Sequence, residues 1–156
     1  MSPVFILSAC LIGEKCAYDG LGRISDKAVS LKAKYDCLPL CPELLGGLGC
    51  PREQAEIVGG TGIDVLSGGA RVVSVQGTDV TRSFILGALK TLSIARSCGA
   101  SSAVMRSNSP SCGKYRVYDG TFTGTLKEGM GVTSALLSLE GISVLSETEI
   151  DDVFRE

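Results

Sequence analysis

The residues most able to do chemistry are seven cysteines, in a chain that has no histidine. Without imidazole, the Ser-His and Cys-His pairs of nucleophilic enzymes and every histidine-ligated metal site are excluded. Thiolates alone favour zinc or an iron–sulfur cluster. The odd number of cysteines argues against a disulfide framework, and free cysteine is often an ordinary buried apolar residue. Two readings remain open here, a metal site made of thiolates and simple core packing.

Three of the cysteines come at or just after short apolar runs that we interpret as strands. Cys10 follows residues 3–7, Cys41 ends residues 38–41, and Cys112 lies in the loop after residues 102–105. The carboxyl ends of parallel strands share one edge of a sheet, where ligand crevices form. Three thiolates there could hold a metal centre and leave one coordination position open.

The spacing of these cysteines matches no compact zinc or ferredoxin motif, so it does not decide between zinc and a cluster. The other four cysteines are interpreted as non-ligands. Cys16 and Cys50 are the first candidates for an exception because they lie in the same loops, whereas Cys37 and Cys98 do not.

Five polar residues near these cysteines could take part in catalysis or binding. Glu43 could favour the dipole of a short helical turn, or act as a general acid or base beside a metal. Ser109 and Ser111 could bond the backbone of a turn, or orient a substrate. Arg106 could pair with a carboxylate or clamp an anionic substrate, and Asn108 adds an amide to the same loop.

The order of the predicted elements indicates the fold class. Beyond the three strands above, we predict the following elements: helices over residues 26–35, 79–98 and 132–139, and strands over residues 70–75 and 142–145. Residues 44–51 are too rich in glycine for a helix longer than one turn, and residues 59–62 are predicted to be a flexible loop. Strands that alternate with helices predict one α/β domain, residues 1–156, with a mainly parallel sheet in a Rossmann-like three-layer arrangement.

Composition limits the classes of partner. The chain has 156 residues, 44% of them hydrophobic, and a net charge of −2, which gives no general attraction to nucleic acid or anionic membranes. No apolar run approaches the roughly 20 residues that a membrane span needs. The apolar start without a basic lead is expected to be a first strand rather than a signal peptide, so we expect a cytoplasmic protein.

Several motifs, taken together and in order, resemble the TudS family of thiouracil desulfidases, formerly a domain-of-unknown-function family. The resemblance covers about residues 4 to 150. It rests on Ser-Ala-Cys-Leu-Ile-Gly (8–13), Tyr-Asp-Gly (18–20), Cys-Pro-Glu-Leu-Leu-Gly-Gly (41–47), Ser-Pro-Ser-Cys-Gly (109–113) and Tyr-Asp-Gly-Thr-Phe (118–122).

This resemblance implies a [4Fe–4S] cluster held by Cys10, Cys41 and Cys112, with one open iron. It also implies a small-molecule substrate, a thiolated uracil or its nucleotide, whose sulfur is replaced by oxygen without redox change. Glu43 would activate water or carry protons, and Ser109 would orient the substrate.

Two departures from the family pattern concern the substrate contacts. Arg106 and Asn108 stand where relatives often have Lys and Arg, and Cys50 stands where a residue without a thiol is common. The alternative to a desulfidase is a small zinc-binding or structural protein. A thiol-redox protein is disfavoured because no Cys-x-x-Cys pair occurs. We expect a monomer or a homodimer.

Overall fold

The centre of the fold is a four-stranded parallel sheet. The computed structural model describes residues 4–154. The sheet contains β1 (Val4–Ser8), β2 (Asp36–Leu40), β5 (Ser102–Met105) and β8 (Ser143–Ser146), in the order β2-β1-β5-β8. Phe5 pairs with Cys37 on one side and with Ser102 on the other, so β1 is flanked by the strands that precede the other two candidate cysteines.

Both faces of this sheet are covered by helices because its strands carry apolar residues on alternating faces. Phe5, Leu7 and Val104 pack with α1 (Asp26–Lys34) and α6 (Ile150–Phe154). Ile6, Ala103 and Met105 pack with α4 (Thr81–Cys98) and α5 (Val132–Leu139). The result is a three-layer α/β arrangement.

Two antiparallel hairpins lie outside the parallel sheet. The first joins β3 (Ala55–Val58) to β4 (Arg71–Ser74), with α3 (Gly62–Ser67) between them. The second joins β6 (Arg116–Tyr118) to β7 (Leu126–Glu128). A third apolar cluster, built around Phe84 of α4, connects both hairpins to the main body.

One short helix positions a candidate catalytic residue. The helix α2 (Pro42–Leu45) is a single turn, as the glycine content after it predicts. It packs closely on α4 because both helices present glycine at the crossing. A Cβ atom on Gly46 would overlap the carbonyl oxygen of Ser83, and one on Gly87 would overlap that of Pro42.

The α/β class, the parallel sheet and the long helices are confirmed, and three local features go beyond the predictions. The strand over residues 70–75 pairs antiparallel with β3 and stays outside the parallel sheet. Residues 59–61 form a loop as predicted, and Gly62 begins the unpredicted helix α3, which starts with a capping box between Thr61 and Asp64. The strands β3, β6 and β7 were not predicted, because runs of three or four residues are too short to show a clear periodicity. Pro3, the predicted first residue of β1, lies outside the described residues.

Within residues 4–154, none of the helices combines the length and apolar character that a membrane crossing requires.

Candidate metal centre and active site

Three cysteines from neighbouring strand ends line one cavity. Cys10 lies in a 3-10 helix, Ala9–Ile12, that directly follows β1, and Cys41 is the N-cap of α2, directly after β2. Cys112 lies in the loop that follows β5. Because β1 lies between β2 and β5, the parallel topology places all three thiols at the same edge of the sheet, where they face the same cavity.

The loop that carries Cys112 rests on the first turn of α5. The backbone N–H groups of Val132 and Thr133 donate to the carbonyl oxygens of Pro110 and Ser111 at 2.8 and 2.9 Å. The Ser134 hydroxyl donates to the carbonyl oxygen of Cys112 at 2.7 Å. The backbone amides in the first turn of α5 have no partner within the helix and donate to the loop instead. These hydrogen bonds fix the position of Cys112.

Two glutamates after β8 hold both ends of the same loop. The Glu147 carboxylate accepts hydrogen bonds from the backbone N–H of Ser107 at 2.9 and 3.1 Å and from its hydroxyl. The Glu149 carboxylate accepts from Lys114 at 2.8 Å and from the Tyr115 hydroxyl at 2.6 Å. The cysteine loop is therefore tied to the last part of the fold at both of its ends.

A fourth thiol, that of Cys16, lines the same cavity and interacts with two of the other three. Hydrogen bonding with Cys10 is the main cause that raises the pKa of Cys16 to about 11, and Cys41 is a second thiol partner of Cys16. Hydrogen bonding with Cys16, and then burial, raise the pKa of Cys41. Burial raises the pKa of Cys112 to about 11. These thiols are protonated at neutral pH, and a bound metal would have to displace their protons.

The thiols do not converge on a single point. Within residues 4–154, no three Cys, Asp or Glu side chains are close enough together to hold one metal ion. An iron–sulfur cluster attaches its cysteines to separate iron atoms, so its ligands need not meet at one point. Free thiols from three strand ends, facing one cavity whose lining contains a single carboxylate, that of Glu43, and no imidazole, are a donor set that fits such a cluster.

A chain of hydroxyls leads from the cysteine loop to a carboxylate. Ser109 Oγ accepts from the backbone N–H of Cys112 at 3.1 Å and lies 3.0 Å from Ser111 Oγ. The Ser111 hydroxyl donates to Glu43 Oε2 at 2.8 Å, and its oxygen lies 3.5 Å from Cys112 Sγ. One hydroxyl therefore contacts both the carboxylate and a candidate metal ligand.

The other oxygen of the Glu43 carboxylate pairs with Arg52. The guanidinium Nε donates to Glu43 Oε1 at 3.0 Å, and Nη1 donates to the carbonyl oxygens of Cys16 and Gly49. Burial alone would lower the pKa of Arg52, but attraction and hydrogen bonding to Glu43 outweigh it and raise that pKa. The guanidinium therefore stays charged beside the carboxylate.

A second cavity adjoins the first and brings the two Tyr-Asp-Gly motifs together. Tyr18 and Tyr118 line it, one from each motif. Glu43, Arg106 and Ser109 line both cavities. An aromatic, partly polar space therefore opens directly beside the thiols.

The structure brings most of the predicted residues together at the two cavities. Cys10, Cys41, Cys112, Glu43, Ser109, Ser111 and Arg106 all line the thiol cavity. Asn108 lines neither cavity and instead takes the left-handed backbone conformation, with φ of 66°. Cys37, Cys50 and Cys98 are also absent from both linings, although the Cys50 thiol donates to the carbonyl oxygen of Lys15 at 3.0 Å.

Sequence reasoning missed residues whose contacts depend on the tertiary fold. For Cys16 there was a signal, because it was a candidate for an additional ligand. The two Tyr-Asp-Gly motifs were a signal that Tyr18 and Tyr118 could belong to the site. Arg52 carries no comparable signal, because nothing in a glycine-rich loop predicts that it reaches Glu43.

Comparisons with known proteins found a family model, a sequence relative and a solved structure that match most of the chain. A family model described as 2-thiouracil desulfurase matches residues 5–149. The uncharacterized protein YbbK of Bacillus subtilis (strain 168) is 46% identical over 150 residues, which are 96% of this chain and 99% of that protein. A solved structure of the [4Fe-4S]-dependent thiouracil desulfidase TudS (DUF523Vcz) superposes with a TM-score of 0.85 at 37% identity, and the match covers 97% of this chain and 95% of that one.

Proposed function

The chain belongs to the 2-thiouracil desulfurase family, and from this premise we propose that it is an iron–sulfur-cluster-dependent desulfidase. Its substrate would be a thiolated uracil or a thiouridine nucleotide. A thiocarbonyl and one water give a carbonyl and hydrogen sulfide, so no electrons are gained or lost. The observation that carries the proposal is that three strand-end thiols and the Glu43–Ser111 pair line one cavity.

Cys10, Cys41 and Cys112 would hold a [4Fe–4S] cluster. Cys10 and Cys112 are 7% and 5% exposed, so both thiols are largely screened from solvent. When bound, the cluster would supply an iron without a cysteine ligand, which acts as a Lewis acid with affinity for sulfur. We assign Cys16 no ligand role, although it interacts with two of the three proposed ligands.

Glu43 would be the general base. A new bond forms between the water oxygen and the thiocarbonyl carbon, and the carbon–sulfur bond breaks. Glu43 Oε2 would take a proton from that water and return it to the departing sulfide. The Ser111 hydroxyl, which donates to the same oxygen at 2.8 Å, would keep this carboxylate oriented toward the thiols.

The second cavity would bind the pyrimidine ring. Tyr18 and Tyr118 offer aromatic surface, and Ser109 lies where it could orient the substrate beside the thiols. Arg106 is half-buried, and within the described residues no hydrogen bond or ion pair holds its guanidinium. A charged group without a partner in such a place favours a ligand that supplies one, a ring carbonyl or a phosphate.

Asn108 is proposed to affect binding through the conformation of the loop that begins at Arg106. The substrate is proposed to be a small molecule rather than a nucleic acid polymer. We further propose that the protein is a single domain over residues 1–156 and acts in the cytoplasm as a monomer or homodimer.

Iron and sulfide analysis of protein prepared without oxygen tests the proposal. We expect close to four irons and four sulfides per chain after reconstitution, as the cluster type requires. Protein that holds one zinc and no iron after reconstitution would instead support the zinc-binding alternative.

A further inference from the structure

An ion pair beside the thiols joins two side chains that are almost out of contact with solvent. The side chains of Arg52 and Glu43 are only 9% and 14% exposed, and Arg52 Nε donates to Glu43 Oε1 at 3.0 Å. Solvent screens such a pair far less than it screens an ion pair at the surface. The orientation of the carboxylate therefore depends strongly on where the guanidinium is held.

Arg52 is itself held at three further points, two on its guanidinium and one on its backbone. Its Nη1 donates to the carbonyl oxygens of Cys16 at 3.0 Å and Gly49 at 3.1 Å, and the Arg52 backbone N–H donates to the carbonyl oxygen of Tyr18 at 2.7 Å. Two loops thus fix the arginine before it meets the carboxylate. The planar fork of arginine can serve several acceptors at once, which the single ammonium of lysine cannot do in the same geometry.

We propose that Arg52 is a positioning residue for the desulfidase reaction, which holds Glu43 so that Oε2 faces Ser111 and the thiol cavity. With Oε1 occupied by the guanidinium, only Oε2 is free to meet Ser111 and the attacking water. This inference rests on the proposed function, because the orientation of Glu43 matters for turnover only if Glu43 is the base.

Arg52 also lines both cavities, so direct contact with the substrate is the competing role. The two roles predict different kinetics. A residue that acts through Glu43 affects kcat, and its effect disappears once Glu43 is replaced. A residue that binds substrate raises KM, and its effect persists without Glu43.

The test is a double-mutant cycle in the cluster-loaded enzyme with 2-thiouracil and 4-thiouracil as probes. The variants are Arg52→Gln, Arg52→Lys, Glu43→Gln and the double variant Arg52→Gln with Glu43→Gln. The control is Arg96→Gln, which removes an exposed ion pair between α4 and Glu140 at the end of α5 and should leave turnover unchanged. Iron content is measured for every variant, and rates are compared per loaded cluster.

We expect Arg52→Gln to lower kcat by roughly ten- to a hundredfold, with KM within about twofold, since misplaced catalytic groups cost that much. Arg52→Lys should recover part of this loss because it keeps the charge. The double variant should be no slower than Glu43→Gln. Effects that multiply in the double variant, or a rise in KM with unchanged kcat, would overturn the positioning role.

A second readout does not depend on turnover. The same four-protein cycle is followed by chemical unfolding of the cluster-free proteins, in which coupled residues give non-additive changes in unfolding free energy. Additive changes would overturn the proposal even in an active enzyme. A wild-type enzyme without turnover would overturn the proposed function. The unfolding cycle alone would then test whether Arg52 holds Glu43 in position.

Discussion

The surroundings of the individual thiols in this chain suit them to different roles. Cys112 is held by a loop with fixed backbone bonds and touches the Ser111 hydroxyl, whereas Cys98 donates to a carbonyl oxygen within its own helix, at 3.5 Å from Ala95. The first arrangement presents sulfur to a cavity. The second satisfies a thiol locally, as an ordinary partly buried residue does.

Replacing Cys112 tests the proposed set of cluster ligands. Cys112→Ser should lose the cluster and with it all activity, because a serine oxygen is a poor ligand for iron in such clusters. Iron content and absorption near 400 nm of protein prepared without oxygen measure this. Cys98→Ser is the matched control and should keep both iron and activity.

Cys16→Ser is expected to keep the cluster as well. Loss of iron from Cys16→Ser, or its retention in Cys112→Ser, would show that the three-cysteine set is wrong.

Replacing Glu43 distinguishes a loss of catalysis from a loss of the cluster. Glu43→Ala should keep the cluster but lower kcat by about 10²- to 10⁴-fold, the usual contribution of a positioned acid or base. Steady-state rates per iron measure the loss. Glu128→Ala, in β7, is the control for an exposed glutamate. Full activity in Glu43→Ala would contradict the acid–base role.

The sequence predicted those site residues whose positions follow from the ends of strands. Cys10 and Cys41 adjoin apolar runs, and Glu43 is two residues from Cys41, so parallel topology alone brings them to one edge. Arg52 could not be predicted, because its contact with Glu43 depends on the path of the glycine-rich loop between them.

Among the elements, the crossing of α2 and α4 sets the position of Cys41 and Glu43. Gly87→Ala should lower the free energy of unfolding by about 1–3 kcal/mol, because the new methyl group overlaps the Pro42 carbonyl oxygen. The better helix propensity of alanine opposes this loss by up to about 1 kcal/mol.

Chemical denaturation of Gly87→Ala beside Ser93→Ala, an exposed site in the same helix, measures the effect. Equal stability of the two variants would mean that the close approach of α2 and α4 is not required.

The segment after β8 makes stability depend on acid pH. Burial would raise the pKa of Glu149, but hydrogen bonds from Lys114, Ser146 and Tyr115 outweigh it and lower that pKa from 4.5 to about 2. The folded state thus binds this proton less readily than the unfolded state. The stabilisation is complete above about pH 4.5 and is lost as the pH falls toward 2.

Glu149→Gln should therefore be less stable than the wild type by about 1–2 kcal/mol at pH 7, after allowance for solvent screening. The difference should shrink between pH 5 and pH 3 in denaturant titrations at about those pH values. A difference that stays constant over this range would show that Glu149 contributes no charge-dependent stabilisation.

Element by element, prediction succeeded where apolar periodicity was strong. The central strands and α4 have long or continuous apolar patterns, and Gly99 ends α4 in the left-handed conformation expected of it. Of the four hairpin strands only β4 was predicted. The strands are three or four residues long, and the hairpins pack on the cluster around Phe84, which sequence periodicity does not reveal.

Considered as a whole, the molecule uses strand order to assemble its site. Cys10, Cys41 and Cys112 are far apart in sequence but come from three adjacent strands, β2, β1 and β5. The loops beyond these strands add the carboxylate, the hydroxyls and two tyrosines. This arrangement is consistent with the general rule that open α/β sheets bind ligands at the carboxyl ends of their strands.

The central claim, hydrolytic desulfuration by a cluster-bearing enzyme, is tested most directly with ¹⁸O-labelled water. Reconstituted protein is incubated with 2-thiouracil or 4-thiouracil without oxygen or added reductant, and uracil and sulfide are both measured. We predict one sulfide released per uracil formed, with one ¹⁸O atom in each uracil and no product from Cys112→Ser. Uracil without the label, a requirement for a reductant, or no product from iron-loaded wild-type protein would contradict the account.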